Sequence, residues 1–324
     1  MTAAVDYTKY SYFPIESPLL EEYYQKQKNT FWIAQEIDYS ADRYDWEKLD
    51  EDTKNFVKFI LFFFAQADGI INENLIRNFT EETSVIKEAG KFYTAQQMCE
   101  VGHNETYSLL IESLIRDPKE KEMAYNAIHH FPSIGAIKDW MFKWMDRDIP
   151  LAERIIAFAC VEGILFSSAF CGIYWIKKRN ILPALCKANE FIARDEALHT
   201  EFGVALYHVF TSLKKICDKV PEHRAHAIIK EAVGVAENFT RSALKVELVG
   251  MNADDMIKYV KCTADRLLVS LGFSKYFNEK NPFDWMAVIG LPNKTNFFES
   301  RVTEYAREGT QSSDSSEFNL DADF

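Results

Sequence analysis

Residues 98–114 read MCEVGHNETYSLLIESL. Apolar and polar residues alternate here at helical spacing. Steps of three and four place Glu100, His103 and Tyr107 on one stripe of a helix. Met98, Val101 and Leu110 are expected close to the same stripe. A glutamate turned toward a core is costly unless it is paired or holds a metal. Taken alone, the stretch fits either a satisfied polar network inside a bundle or half of a metal site.

The rest of the chain repeats the pattern. A second Glu-x-x-His, Glu196 and His199, lies in NEFIARDEALHTEF. Asp68 precedes Glu100 by 32 residues, inside the apolar run FILFFFAQADGII, and Glu162 precedes Glu196 by 34, inside FACVEGILFSSAF. The order is the same twice: a lone carboxylate, a helix-length gap, then Glu-x-x-His. Four such helices packed together would converge four carboxylates and two imidazoles. Buried without counter-charge, those carboxylates would be mutually intolerable, and two divalent cations cancel that charge. Oxygen and nitrogen ligation without thiolate suits Fe or Mn better than a structural Zn site. The expectation is an all-α, ferritin-like bundle with a di-metal centre.

The bulk numbers agree. The 324 residues are 48% hydrophobic and 27% charged, with only 12 Gly and 9 Pro, so helix breakers are scarce. The 25 Phe predict a core rich in rings. A net charge of −12 argues against a nucleic-acid or anionic-membrane partner. Six cysteines without a Cys-x-x-Cys pair read as reduced thiols of a cytoplasmic protein, and MTAAVDYTKYSYFPIE carries no secretory pattern. Residues 155–176 imitate a membrane span, but their single charge, Glu162, sits near the middle, where a bilayer penalises it most. A central helix of a bundle fits better.

Helices are expected near Leu19–Lys28 and over 52–80, 83–115, 151–179, 183–213, 220–239 and 252–276, with shorter ones between 118 and 146 and a short piece near 282–288. Asp42, Asp45 and Trp46 suggest turn and helix-start chemistry. No strand signal of any strength is present. From Thr310 the chain becomes a flexible acidic tail, TQSSDSSEFNLDADF. Its Phe318, Leu320 and Phe324 suit a segment that orders on a partner's groove.

Tyr107 lies one turn after His103, within reach of such a metal pair. Phe166 and Phe170, one and two turns beyond Glu162, and Ile192, one turn before Glu196, would form an apolar wall beside it. That wall is core packing in any case. A phenol shielded from water beside an oxidising metal pair can also be oxidised to a long-lived neutral radical. Since tyrosine keeps its proton at neutral pH, that oxidation must be coupled to proton loss toward a nearby base.

At this point AQADGIINENL, CEVGHNETYSLLIESLIRD, FACVEGILFSSAF, NEFIARDEALH, LGFSKYFNEKNPFDWM, NKTNFFESRVTEY and FNLDADF resemble the small, radical-generating subunit of class I ribonucleotide reductase, of the type found in eukaryotes and their viruses. The resemblance runs from about Phe31 to Phe324. It implies that Asp68, Glu100, His103, Glu162, Glu196 and His199 are iron ligands for two Fe ions per chain, activated by O2, and that Tyr107 is the radical tyrosine. It implies that Trp32 and Asp195 belong to the proton-coupled electron path through His103, and that Tyr305 hands the oxidising equivalent to the large catalytic subunit. Phe318, Asn319, Leu320, Asp321, Ala322, Asp323 and Phe324 would be the peptide that docks on that subunit. The division it implies is 1–305, a helical di-iron domain, and 306–324, the docking tail. A homodimer is expected on the same ground.

Cys99, Val101, Gly102 and Ala197 depart from the commonest wording around the two Glu-x-x-His motifs, while every ligand position and the tyrosine are filled. No phosphate loop and no cysteine pair equip this chain to reduce a ribose itself. Two other readings remain at this stage: a stand-alone di-iron oxidase or oxygenase, which needs no partner, and an iron-storage or helical interaction protein, which this length and tail fit poorly.

Overall fold

A computed structural model of the chain describes residues 10–245, 247–283, 285 and 286. Tyr305, the division at 305/306 and the peptide Phe318–Phe324 lie outside the described residues, as does most of the short helix expected near 282–288.

The described residues form helices and no strand; the nearest thing to one is an isolated bridge between Leu248 and Met251. Four of the α-helices start behind a capping side chain. The chain enters α1 (Pro18–Asn29) behind Ser17, whose side chain accepts from the Leu20 amide. After α2 (Arg43–Lys48), Asp50 caps α3 (Glu51–Asn74), accepting from the Thr53 amide at 2.8 Å. A π-helical turn, Leu75–Phe79, leads into α4 (Thr80–Thr83). Then come α5 (Lys87–Leu114), the short α6 (Pro118–Tyr125) and α7 (Ala127–His130), and α8 (Pro132–Lys143). The apolar segment divides into α9 (Leu151–Cys160), a π-helical turn Val161–Leu165, and α10 (Ser167–Lys178). Next is α11 (Pro183–His208), which closes in a third π-helical turn, Val209–Leu213. The last two are α12 (Glu222–Ala243) and α13 (Ala253–Ser270).

The all-α expectation holds, with three kinds of difference. The helices expected to be continuous over 52–80, 151–179 and 183–213 each contain a π-helical turn. For Val161–Leu165 hydrophobic periodicity cannot show one, because one extra residue per turn leaves the apolar pattern of a wholly buried helix unchanged. The helix expected over 252–276 stops at Ser270, where Gly272 takes a positive φ of 84°. Met98 and Val101 do not face inward with Glu100; they are 58% and 54% exposed. One residue along a helix turns a side chain by about 100°, so positions one and two away from an inward residue point elsewhere.

Packing pairs α3 with α5 and α9 with α11, while α5 also meets α11. Each carboxylate-bearing helix thus lies beside its Glu-x-x-His helix. Arg154 of α9 forks onto both carboxylate oxygens of Glu82 in α4, each at 2.6 Å, and ties the two pairs together. Gly172 lets α10 close on α3: a Cβ there would lie 2.5 Å from the Phe56 ring. The membrane-like stretch within Leu151–Lys178 is wholly buried inside the bundle, which accounts for its composition.

Asp42 and Asp45 do perform helix-start chemistry, but for a helix distant in sequence. Helix α11 begins after Leu182, which sits at φ 53° and has no capping side chain. Asp42, fully buried, accepts from the amides of Ala184 and Leu185 at 2.7 and 2.8 Å, and Asp45 accepts from that of Leu182 at 3.0 Å. Two orphan donors of the first turn are satisfied across the fold. Replacing Asp42 by Ala is expected to lower the unfolding free energy by about 1–3 kcal/mol in denaturant titrations, because it leaves both amides unsatisfied. Asp42→Asn, which keeps one acceptor, should lose less; equal stability of Asp42→Ala and the parent chain would mean the cap contributes nothing.

Candidate metal centre

The six acidic and histidine side chains singled out by the sequence come from four stretches: Asp68 from α3, Glu100 and His103 from α5, Glu162 from the π-helical turn, and Glu196 and His199 from α11. All are at most 3% exposed. Ligand atoms of Glu100, Glu162, Glu196 and His199 lie within 4.8 Å of one another. His103 joins them, its Nδ1 2.9 Å from Glu196 Oε1 and 3.4 Å from Glu100 Oε2. His199 Nδ1 is 3.1 Å from Glu100 Oε1 and 2.8 Å from Glu196 Oε2. Asp68 borders the group more loosely: the charges of Glu100, His103, Glu196 and His199 act on it, and it shares a surface groove with Glu100.

Many of these atoms make no hydrogen bond. Both oxygens of Asp68, Glu162 Oε2 and His199 Nε2 make none, and Glu100 Oε2, Glu196 Oε1 and His103 Nδ1 meet one another only as ion pairs without hydrogen-bond geometry. Buried polar atoms are nearly always satisfied, so such a concentration around one point fits a site built for cations. Carboxylate oxygens and imidazole nitrogens, with no cysteine in the converging group, suit Fe or Mn. The electrostatics agree. Burial, reinforced by the charge of Glu100, pushes Asp68 well above the usual carboxylate range, and burial with the charges of Glu196 and Glu100 does the same to Glu162. Burial opposes the charged form of both histidines, yet Glu196 and the neighbouring hydrogen bonds raise them well above their ordinary value. Without cations the cluster is tolerable only by holding protons.

Gln96 was not singled out from the sequence. It is fully buried, and its Nε2 donates to Glu100 Oε1 and Glu162 Oε1, both at 3.0 Å. Its only sequence signal is its position, one turn before Glu100 on the same stripe.

Tyr107 is fully buried and its hydroxyl is unpartnered. Burial, with the charges of Asp68, Glu196 and Glu100, raises its phenol well above its ordinary value. Its ring stacks on Phe64 at 4.5 Å and 5°. Phe64 in turn contacts Phe166 at 5.2 Å and Phe170 at 5.0 Å. The expected apolar wall therefore includes a ring that sequence reasoning missed, one turn before Asp68. Ile192 is buried in the same core.

On the other side of His103 the surroundings are polar. Its Nε2 lies 3.3 Å from Asp195 Oδ2, and the same oxygen accepts from Trp32 Nε1 at 2.7 Å. The Trp32 and His103 rings stack at 6.0 Å. Burial alone would raise Asp195, but the His103 hydrogen bond and the charges of His103 and Arg194 outweigh it and hold the carboxyl below the usual range. Trp32, Asp195 and His103 thus form one continuous contact chain.

Comparison with known proteins places this architecture. The family described as "Ribonucleotide reductase, small chain" matches residues 9–282. The ribonucleoside-diphosphate reductase small chain of Trypanosoma brucei brucei is 44% identical over 98% of this chain and 93% of its own length. The human ribonucleoside-diphosphate reductase subunit M2 is 45% identical over 96% of this chain and 79% of its own. Among solved structures, the ribonucleotide reductase Rnr4 homodimer from Saccharomyces cerevisiae superimposes with a TM-score of 0.75 at 30% identity, covering 84% of this chain and 85% of that one. The Clostridium botulinum ribonucleotide reductase R2 subunit, 20% identical, shares the fold with the same TM-score. The bundle, the buried carboxylate and histidine cluster and these matches lead to one conclusion: the chain belongs to the ribonucleotide reductase small-chain family.

Proposed function

We propose that this chain is the radical-generating small subunit of a cytoplasmic ribonucleoside-diphosphate reductase. Asp68, Glu100, His103, Glu162, Glu196 and His199 would hold two iron ions. When bound, that pair supplies the oxidising power of O2. The observation that carries the reading is Tyr107: a fully buried phenol stacked on Phe64, which packs in turn against Phe166 and Phe170, with its hydroxyl unpartnered and under the charges of Asp68, Glu196 and Glu100.

The side chains define the rest. Burial keeps the phenol protonated, so one-electron oxidation of Tyr107 must release its proton toward those carboxylates, leaving a neutral radical. The aromatic shell excludes water that would quench it. His103, Asp195 and Trp32 form the route by which the oxidising equivalent travels outward, with Asp195 accepting from the indole and facing the imidazole through one oxygen. Tyr305 and the peptide Phe318–Phe324 would complete the transfer by docking on a large catalytic subunit, which carries out reduction of the ribonucleotide. That none of the six cysteines forms a disulfide supports the cytoplasmic assignment.

A homodimer completes the reading. Ile76 and Val101 line an open groove of about 410 Å³, and both are largely exposed, as is Met98 one turn before Val101. Exposed apolar side chains grouped on one face favour burial by a second copy.

Three measurements test these proposals. Anaerobic Fe(II) loading followed by O2 should produce a tyrosyl signal in electron paramagnetic resonance. Tyr107→Phe should abolish it with iron content unchanged, and a persisting signal would refute the assignment. Trp32→Phe, and separately removal of the last seven residues, should leave the radical intact but stop turnover with the large subunit; activity surviving the truncation would favour a stand-alone oxidase. Replacing Ile76 and Val101 together by Asp should shift the chain toward monomer in sedimentation, whereas an unchanged dimer would place the interface elsewhere.

A further inference from the structure

Gln96 has an unusual environment for a core amide. Its two N–H groups are both engaged, one by Glu100 Oε1 of its own helix α5 and one by Glu162 Oε1 of the π-helical turn. Its carbonyl oxygen is buried without a partner. An unsatisfied buried carbonyl is destabilising, so if Gln96 served packing alone an apolar side chain of the same size would be more stable. Charge narrows the choice further. A lysine here would repel cations, and a glutamate would add another carboxylate to a cluster already crowded with them. A neutral double donor can hold two carboxylates without doing either.

The oxygens left over are the informative ones. Gln96 takes one oxygen of each carboxylate, sharing Glu100 Oε1 with His199; of the other oxygens, Glu162 Oε2 makes no hydrogen bond and Glu100 Oε2 makes none but lies 3.4 Å from His103 Nδ1. The residues that carry them, Glu100 and Glu162, converge with Glu196 and His199, one ligand atom of each lying within 4.8 Å of the others.

We infer that Gln96 is a positioning residue of the metal centre: its amide pins one oxygen of Glu100 and one of Glu162 across two helices, leaving the other oxygens to set the cation site shared with Glu196 and His199. The inference rests on reading the cluster as a metal pair. Partners of metal ligands typically change metal affinity by about 10–100-fold when removed.

The test is titration of the metal-free full-length chain with Co(II), followed by calorimetry and by visible ligand-field absorption. The parent chain should bind two ions. Gln96→Met keeps the volume and removes the donor; Gln96→Asn keeps the amide but withdraws it by one methylene. Both should weaken one of the two sites by about 10–100-fold, alter its absorption band and leave the other site unchanged. Thermal unfolding of the metal-free variants reports whether each is folded, so a variant that fails to fold is replaced by the other. Two unaltered sites in a folded variant would overturn the inference while leaving the metal pair standing. No binding by the parent chain would overturn the metal pair and this inference with it.

Discussion

Everything in this bundle is arranged around the expense of burying four carboxylates in one apolar core. Desolvating a single unpaired carboxylate costs several kcal/mol, and each like charge nearby adds to that. Asp68 and Glu162 are accordingly driven toward their protonated forms and His103 and His199 toward their charged ones. Two cations relieve the same tension more completely than protons. The surrounding framework resists relaxation: Arg154 forks onto Glu82, and Asp42 holds the first turn of the helix that carries Glu196 and His199.

Around this centre the environment is divided sharply. On the Tyr107 side there are rings, and the phenol makes no hydrogen bond of its own. On the Trp32 side there is a polar chain running from indole to carboxylate to imidazole. Helix periodicity makes the division economical, since His103 and Tyr107 stand one turn apart on α5. A dry aromatic shell protects an oxidised phenol, and a hydrogen-bonded chain offers it a way out. Such a pairing of storage and export is the physical content of the proposed role.

Membership of the small-chain family and the geometry of the cluster support one another without being the same statement. The family match covers the helical body, residues 9–282. The proposed handover to a large subunit depends on Tyr305 and Phe318–Phe324, where apolar side chains set among aspartates are suited to docking.

Much was legible in the sequence because helices repeat at short range. Two Glu-x-x-His motifs, each preceded at helix length by a lone carboxylate in an apolar run, are enough to pose an all-α bundle and to select Asp68, Glu100, His103, Glu162, Glu196 and His199. Tyr107 follows from its spacing to His103. What the sequence could not determine depends on contacts between distant segments. The π-helical turn that carries Glu162 is invisible in a segment buried on every side. Asp42 reads as helix-start chemistry and does precede α2, but only the tertiary structure shows that its side chain caps α11. Phe64 is an ordinary core residue and Gln96 an ordinary helix residue by composition; they gain meaning from the phenol and the carboxylates that packing brings against them. Periodicity reports which face of a helix is buried, and only the assembled bundle decides what that face meets.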